Sequence, residues 1–435
     1  MPTPVTAARV IGGILQKPPP TFAARWTVLG AMSLALFGSY YAFDTIGPLA
    51  PVLTRQLQFS NSQVGLLQAS YSLPNVFVLL AAGVLIDRIG AKKSMLAFGI
   101  MILSGLVITA VTPRIPVMVA GRLMFGLAAE SLAMATHVAI ARWFLRDELN
   151  LAFALRSSAC RLGSLTAQTS PTWAAAAYAY WQWPLLLSVG FGSFCILGTA
   201  LYWVLDTRGD ARFELAASQH KARFAFADFF QFNRSFWLLA GLCICFYSCV
   251  FPFQTFGQKF MIEARAVTPT RASLLIGMDP LFSLCLMPVF GHLADRYGNR
   301  ALLMAIGSLL LVPVFLLLTY TPASPFFAMV TMGVAFALVP AVLWMSVVLV
   351  VDRTRIGFAS AVVDAVQQIG LVVTNLLIGW TNDRWQAGVT NPAGYRPGMW
   401  IFTGLAMLAV CCAMGLRRVE TGPHAHGLET LTSRL

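Results

Sequence analysis

Gly83-Val-Leu-Ile-Asp87-Arg88-Ile-Gly90-Ala-Lys92-Lys93 reads G-x-L-x-D-R-x-G-x-K-K, and Gly291-His-Leu-Ala-Asp295-Arg296-Tyr-Gly298-Asn-Arg300 repeats it as G-x-L-x-D-R-x-G-x-R. The two stretches stand about half a chain apart in 435 residues, and each lies between two long apolar runs. One D-R-x-G alone would say little. Two copies at matching places in two apolar halves imply an internal duplication of a membrane-embedded unit.

Composition supports this. Hydrophobic residues make up 58% of the chain and charged residues 11%, whereas soluble domains carry roughly 25% charged residues. Lipid is therefore the main solvent, and the lipid bilayer a constant partner. A net charge of +13 could suggest nucleic acid, but the basic residues sit in short loops between apolar runs. That is a topological pattern, and no nucleic-acid partner is expected. Residues 1–25 lack the apolar core of a cleavable signal peptide, and Pro18-Pro19-Pro20 would break one. The eight cysteines all fall in apolar runs. Only Cys243-x-Cys245-x-x-x-Cys249 invites a metal reading, and small residues at helix packing faces account for it as well. No metal or cofactor is expected. No Ser/His/Asp set, nucleotide loop or metal-ligand spacing of adequate specificity points to an enzyme.

A spanning helix needs roughly 20 apolar residues. On that basis the chain has twelve runs: 26–50, 62–86, 93–112, 116–143, 149–177, 183–205, 235–260, 271–294, 300–320, 324–351, 356–381 and 398–416. The expected fold is an all-α membrane protein of twelve transmembrane helices in two six-helix lobes. The expected organisation is an N-terminal segment 1–25, a first lobe 26–205, a linker 206–234, a second lobe 235–416 and a tail 417–435. With the N-terminus inside, twenty of the thirty Lys and Arg fall on the inner face, seven on the outer face and three within helices. This asymmetry predicts that both termini are cytoplasmic. Within the linker, Phe224-Ala-Phe-Ala-Asp-Phe229-Phe230 is amphipathic enough to lie along a membrane surface.

The repeated loops resemble the signature loop of the major facilitator superfamily, found between helices 2 and 3 and again between 8 and 9. The resemblance spans the whole chain and implies the major facilitator fold and transport by alternating access. It implies a conformational latch made of Gly83, Asp87, Arg88 and Gly90 in one copy and Gly291, Asp295, Arg296 and Gly298 in the other. Asp87 and Asp295 would meet the positive N-terminus of a neighbouring helix, and Arg88 and Arg296 would pair with acids nearby. A plain positive turn that fixes topology is the competing reading. The second copy departs from the pattern at Asn299. On helix 4, Gly121-Arg122-Leu-Met-Phe-Gly126 resembles the superfamily motif with a membrane-embedded Arg. Snorkelling of Arg122 to the outer surface is the alternative.

Seven ionisable residues fall inside the spans: Asp44, Arg122, Glu130, Arg156, Arg161, Asp279 and Asp364. A charge at the bilayer centre costs on the order of 2.5–3.5 kcal/mol on insertion scales, so such groups face the bundle interior, a cavity or each other. Glu130 on helix 4 and Arg161 on helix 5 each lie roughly 18–20 Å from the same face at ~1.5 Å per residue. An acid and a base at one depth on adjacent helices either form a structural ion pair or hold the two ends of a zwitterion. Asp44 precedes Gly47-Pro48 and lines a cavity or forms a lobe contact. Asp364, Gln367 and Gln368 share one face of helix 11 and either line the cavity or pack. Asp279 is placed near the outer cap, and Arg156 snorkels. His137 is seven residues after Glu130, a packed histidine or a proton relay. Tyr71, Asn75 and Trp344 fit a cavity wall by type and depth.

Tyr71-Ser-Leu-Pro74-Asn75-Val, Gly126-Leu-Ala-Ala-Glu130-Ser131-Leu-Ala, Glu148-Leu-Asn150-Leu-Ala-Phe153 and Cys160-Arg161-Leu-Gly163-Ser164 resemble the MFSD1 branch of the superfamily, which includes a lysosomal dipeptide uniporter. The resemblance implies that an acid on helix 4 and an arginine on helix 5, here Glu130 and Arg161, recognise the two ends of a dipeptide. It makes uniport the default. The alternatives are a proton-coupled symporter or antiporter of another solute (an organic anion, a drug or a metal ion such as iron) and a scaffold or sensor that carries nothing. Residues 1–25 carry no acidic dileucine sorting signal, and the short outer loops offer little landing surface for an accessory membrane protein. A bacterial inner membrane is therefore the expected location.

Overall fold

The computed structural model describes residues 10–11, 14–15, 17–77, 85–86, 88–145, 148–215, 232–352, 355–423 and 425–430. Gly83 and Asp87 of the first repeated loop, His424 and the Phe224–Phe230 stretch lie outside the described residues.

Helix α1 runs Phe22–Asp44 and, after a break at Thr45, continues as Ile46–Leu57. Proline lacks an N–H, so Pro48 cannot return a helical bond to Asp44, and the chain steps there. Helix α2 (Asn61–Ser72) opens on a capping box, with Ser60 and Gln63 each bonding the other's backbone N–H. The remaining first-lobe helices are α3 (Ala91–Val111), α4 (Ile115–Trp143), α5 (Leu149–Gln168) and α6 (Gln182–Arg212). The second lobe holds α7 (Arg234–Arg265), α8 (Pro269–Tyr297), α9 (Arg300–Tyr320), α10 (Pro325–Val350), α11 (Ile356–Arg384) and α12 (Arg396–Glu420). A two-residue antiparallel pair, Val10–Ile11 with Ile14–Leu15, precedes α1.

Among the described residues ten helices are long and apolar enough to cross a membrane. The other two of the twelve are α2, whose continuation is only partly described, and α5, which carries Arg156 and Arg161. Large apolar side chains on the outside, Phe77, Val111, Leu309 and Trp380 among them, face the lipid.

The duplication is visible in the packing. In the first lobe α1 packs on α5 and α6, α3 on α4 and α6, and α2 on α4. In the second lobe α7 packs on α11 and α12, α9 on α10 and α12, and α8 on α10. Each pair recurs six helices later. The lobes meet through α2 with α11, α5 with α8, and the second half of α1 with α7, a set that maps onto itself when the lobes are exchanged. Each lobe has its own core, built around Met32, Phe125, Leu132 and Tyr202 in the first and Phe246, Phe315, Phe336 and Phe402 in the second.

On the face where the termini emerge, the repeated loops are tied within their own lobes. Lys92 of the first loop reaches Asp210 at 3.0 Å and Asp206 at 3.6 Å. Asp206 is buried and also accepts from Arg142, Trp143 and Tyr202, while Arg142 pairs with Asp210 as well. These contacts hold α6 helical past residue 205 to Arg212. In the second loop Arg300, at the position matching Lys92, pairs with Asp295 at 2.7 Å. Among the described residues the basic residue two places after the second glycine is thus the one that pairs in each copy. Among the described residues Arg88 and Arg296, expected to pair with acids, have no ion-pair partner; Arg296 lies over the Tyr297 ring. Asn299 departs from the loop pattern because the turn needs left-handed backbone at Gly298 (φ 66°) and Asn299 (φ 51°).

The tail closes this turn. Arg300 N donates to Leu428 O (2.9 Å) and Leu302 N to Glu429 Oε1 (3.2 Å). Leu428 is buried. A Cβ at Gly298 would meet Thr430 O at 2.8 Å. Glu420 anchors the tail's start, accepting from Ser235 Oγ and from His426 N.

Candidate functional site

At the opposite face the lobes are sealed. The Asp383 carboxylate at the end of α11 accepts from Asn61 N (2.8 Å) and Ser62 N (2.7 Å), free backbone donors at the start of α2, and from the Asn61 side-chain Nδ2 (2.9 Å). Below it the two helices touch backbone to backbone, since a Cβ at Gly65 would meet Asn375 O at 2.4 Å and one at Gly379 would meet Asn61 O at 2.6 Å. Thr172 of the loop after α5 bonds Ser273 of α8 at 2.6 Å.

Between the lobes a cavity of about 660 Å³ extends from the termini face to mid-membrane. The first lobe contributes Ser39, Tyr40 and Phe43 from α1, Tyr71 from α2, Glu130, Met134 and His137 from α4, and Arg156, Ser157 and Arg161 from α5. The second contributes Tyr247 and Phe251 from α7, Trp344 from α10, and Ser360, Asp364, Gln367 and Gln368 from α11.

Glu130 and Arg161 share this wall. Glu130 Oε1 accepts from Tyr71 OH at 2.8 Å. The Arg161 guanidinium lies over the Phe336 ring, 5.0 Å from its centroid. Among the described residues neither has an ion-pair partner, so the structural ion pair does not form. Tyr71 is itself held between Phe43 and Phe125. Trp344 Nε1 donates to Tyr247 OH at 3.1 Å, and Gln367 Oε1 accepts from Cys243 Sγ at 3.6 Å. The cavity wall thus holds two carboxyl groups and two guanidinium groups with aromatic surface between them.

Three expectations, for Asn75, Arg156 and Asp279, need correction, and the open readings of Asp44 and Arg122 are decided. Asp44 and Asn75 do not line this cavity. Asp44 turns toward α5, where Gln168 Nε2 donates to it at 3.1 Å, and Asn75 turns back on its own helix to the Tyr71 carbonyl. Arg156 does not snorkel. It is buried, donating to Thr136 Oγ1 (2.9 Å) and Ala133 O (3.1 Å). Asp279 lies well inside α8 with no exposure. Arg122 does not snorkel either. It is 1% exposed, donates to Leu67 O, Ala42 O, Phe43 O and Gln68 Oε1, and stacks on Phe125. Cys243, Cys245 and Cys249 are free, and no metal-holding group occurs among the described residues. Tyr40, Tyr247 and Phe251 of the wall were not singled out from sequence. Tyr247 and Phe251, four residues apart, share one face of α7, but so do many packed aromatics.

The comparisons with known proteins agree with this geometry. The Major Facilitator Superfamily model matches residues 32–374 and 253–430. The human (Homo sapiens) lysosomal dipeptide transporter MFSD1 is 29% identical over 380 residues, 84% of this chain and 81% of that protein. Its mouse (Mus musculus) counterpart is 28% identical over 423 residues, 93% and 89% respectively. A bacterial homologue of the human lysosomal transporter Spinster, solved inward-facing and unoccupied, superposes with a TM-score of 0.75 at 17% identity, covering 91% of this chain and 97% of that one. The nucleoside transporter NupG gives a TM-score of 0.70 at 13% identity, covering 91% and 99%. Duplicated lobes, an interlobe cavity closed at one face and the family match lead to one conclusion: the chain belongs to the major facilitator superfamily and is a multi-pass membrane transporter, not an enzyme.

Proposed function

We propose that this transporter carries a small zwitterion, dipeptides first, with Glu130 holding the ammonium end and Arg161 the carboxylate end. The observation that carries the reading is that these opposite charges share one cavity wall without pairing. Each is held by an aromatic neighbour, Tyr71 or Phe336. Two desolvated charges left apart are costly unless a ligand completes them. Because Arg156 and Asp364 bring the cavity to two groups of each sign, a net-neutral solute fits better than a simple anion. The human relative, a lysosomal dipeptide transporter, supports the same class. Tyr71, Gln367, Gln368 and Asp364 would line the side-chain space. Alternating access then opens the seam at Asp383 and closes the cavity mouth, with the repeated loops as the latch at the termini face. We place that face in the cytoplasm on the distribution of Lys and Arg, and the protein in a bacterial inner membrane on its short outer loops.

The test is the melting temperature of the purified chain with Ala-Ala, N-acetyl-Ala-Ala, Ala-Ala amide and the doubly blocked peptide, since a ligand bound to the folded state raises it. Only the free dipeptide should give the full shift. Glu130→Gln and Arg161→Ala should each weaken binding at least about 30-fold, roughly 2 kcal/mol, while leaving the unliganded melting temperature nearly unchanged. Equal shifts from free and doubly blocked peptides would remove the two-ended grip.

A further inference from the structure

A string of buried polar side chains crosses the sealed interlobe seam, away from the cavity wall. Asp44 on α1 accepts from Gln168 on α5. The Gln168 carbonyl accepts from Gln258 Nε2 on α7 at 2.8 Å. One turn earlier on α7, Gln254 donates to Asp279 Oδ2 on α8. The lobes are in close contact here, since a Cβ at Gly47 would meet Gln254 O at 2.5 Å and one at Gly277 would meet Thr169 Cγ2 at 2.5 Å.

Asp279 is the incomplete member. It lies about 15 Å along α8 from its start at ~1.5 Å per residue, with 0% exposure. Its Oδ1 has no hydrogen-bond partner. Among the described residues no cation lies within ion-pair distance. The charged groups facing it are Arg161 on α5 and Asp44 on α1. Helix α10, packed along α8, has no charged residue, and on α7 Lys259 is paired with Glu263 at 2.9 Å. The next residue, Pro280, has no N–H, so the Ile276 carbonyl on the same turn lacks its helical donor. An uncompensated carboxylate in such a place is too costly to persist.

We propose that Asp279 is the site of a small monovalent cation, a proton or sodium, bound when the seam is sealed and released when the seam opens to the opposite face. Sealing removes water from the carboxyl, so the cation and the closed seam stabilise one another. This linkage acts in both directions. Arg161 borders both seam and cavity. On the proposed function, a solute carboxylate on Arg161 would offset the positive charge that Asp279 faces and favour the cation, so solute and cation would bind together.

The test needs no solute, so its outcome is independent of the dipeptide reading. Spin labels at Gln58 and Val389, exposed on either side of the seam, report its opening in the full chain reconstituted in liposomes. Two titrations are run: pH at constant potassium, and sodium against potassium at constant pH. In the wild type one cation should shift the sealed-to-open ratio by about tenfold or more. A response to pH alone identifies the proton; a response at fixed pH identifies sodium. Asp279→Asn should abolish that response, and Asp44→Asn should keep it. A wild type indifferent to both cations, or an Asp279→Asn chain that still responds, overturns the proposal. Should Asp279→Asn not fold, Gln254→Leu decides. Losing the amide donor should move half-closure to about tenfold lower cation concentration, and an unmoved midpoint overturns the proposal.

Discussion

Arg122 is a charge placed where charge is expensive and made tolerable by the number of its acceptors. Four oxygens on α1 and α2 receive its guanidinium, and two aromatic rings cover its face. A lysine could not reproduce that fork. Arg122→Met and Arg122→Lys should both destabilise the protein, by about 3 kcal/mol for the loss of a buried network. The melting temperature in detergent measures this, and an unchanged value in the lysine variant would contradict the role of the fork. The sequence placed Glu130 and Arg161 at one depth by counting along two antiparallel helices, and the structure finds them on one wall. Counting does not give azimuth, which is why Asn75 was assigned to a cavity it does not face and why Asp44 was left open between a cavity and a lobe contact. The direction of a side chain around a helix is set by its neighbours, and Gln168 decides it for Asp44.

Between elements, the contact that matters most for the transport cycle is the end of α11 against the start of α2. A carboxylate at a helix N-terminus is worth about 0.3–2 kcal/mol, depending on burial. Asp383→Asn keeps the shape and removes the charge. It should move the sealed-to-open ratio toward open by about tenfold, roughly 1.4 kcal/mol. The labels at Gln58 and Val389 would show a longer-distance population growing, and a distribution identical to wild type would assign the seal to the backbone contacts at Gly65 and Gly379 alone. None of this was legible in sequence. Asp383 reads as one more loop acid, and Asn61 and Asp383 come together only through the crossing of two helices more than three hundred residues apart in the chain. By contrast the twelve runs were legible, because hydropathy acts locally and lipid demands it of each span.

For the whole molecule, the duplication announced by two loops reappears as five matching helix pairs and a self-mapping interface. The fold was therefore readable from a dozen residues. The face on which the cavity opens was not, because both faces are built from the same spans and only the closing of one seam distinguishes them. The tail is the other feature that hydropathy could not supply. Ending the chain after Pro423 would expose the Leu428 site and strip the carbonyl of Leu428 and the carboxylate of Glu429 from the start of α9. A stability loss of about 2 kcal/mol is expected from the leucine alone, read as a lower melting temperature. A melting temperature equal to that of the full chain would show that the tail is not part of the fold. The residues that finish the turn before α9 follow all twelve spans in the chain, so every span can enter the bilayer before that turn can close. A chain cut just beyond α12 would therefore be fully inserted yet carry an unfinished turn, a difference that a quality-control protease could detect and a topology assay could not.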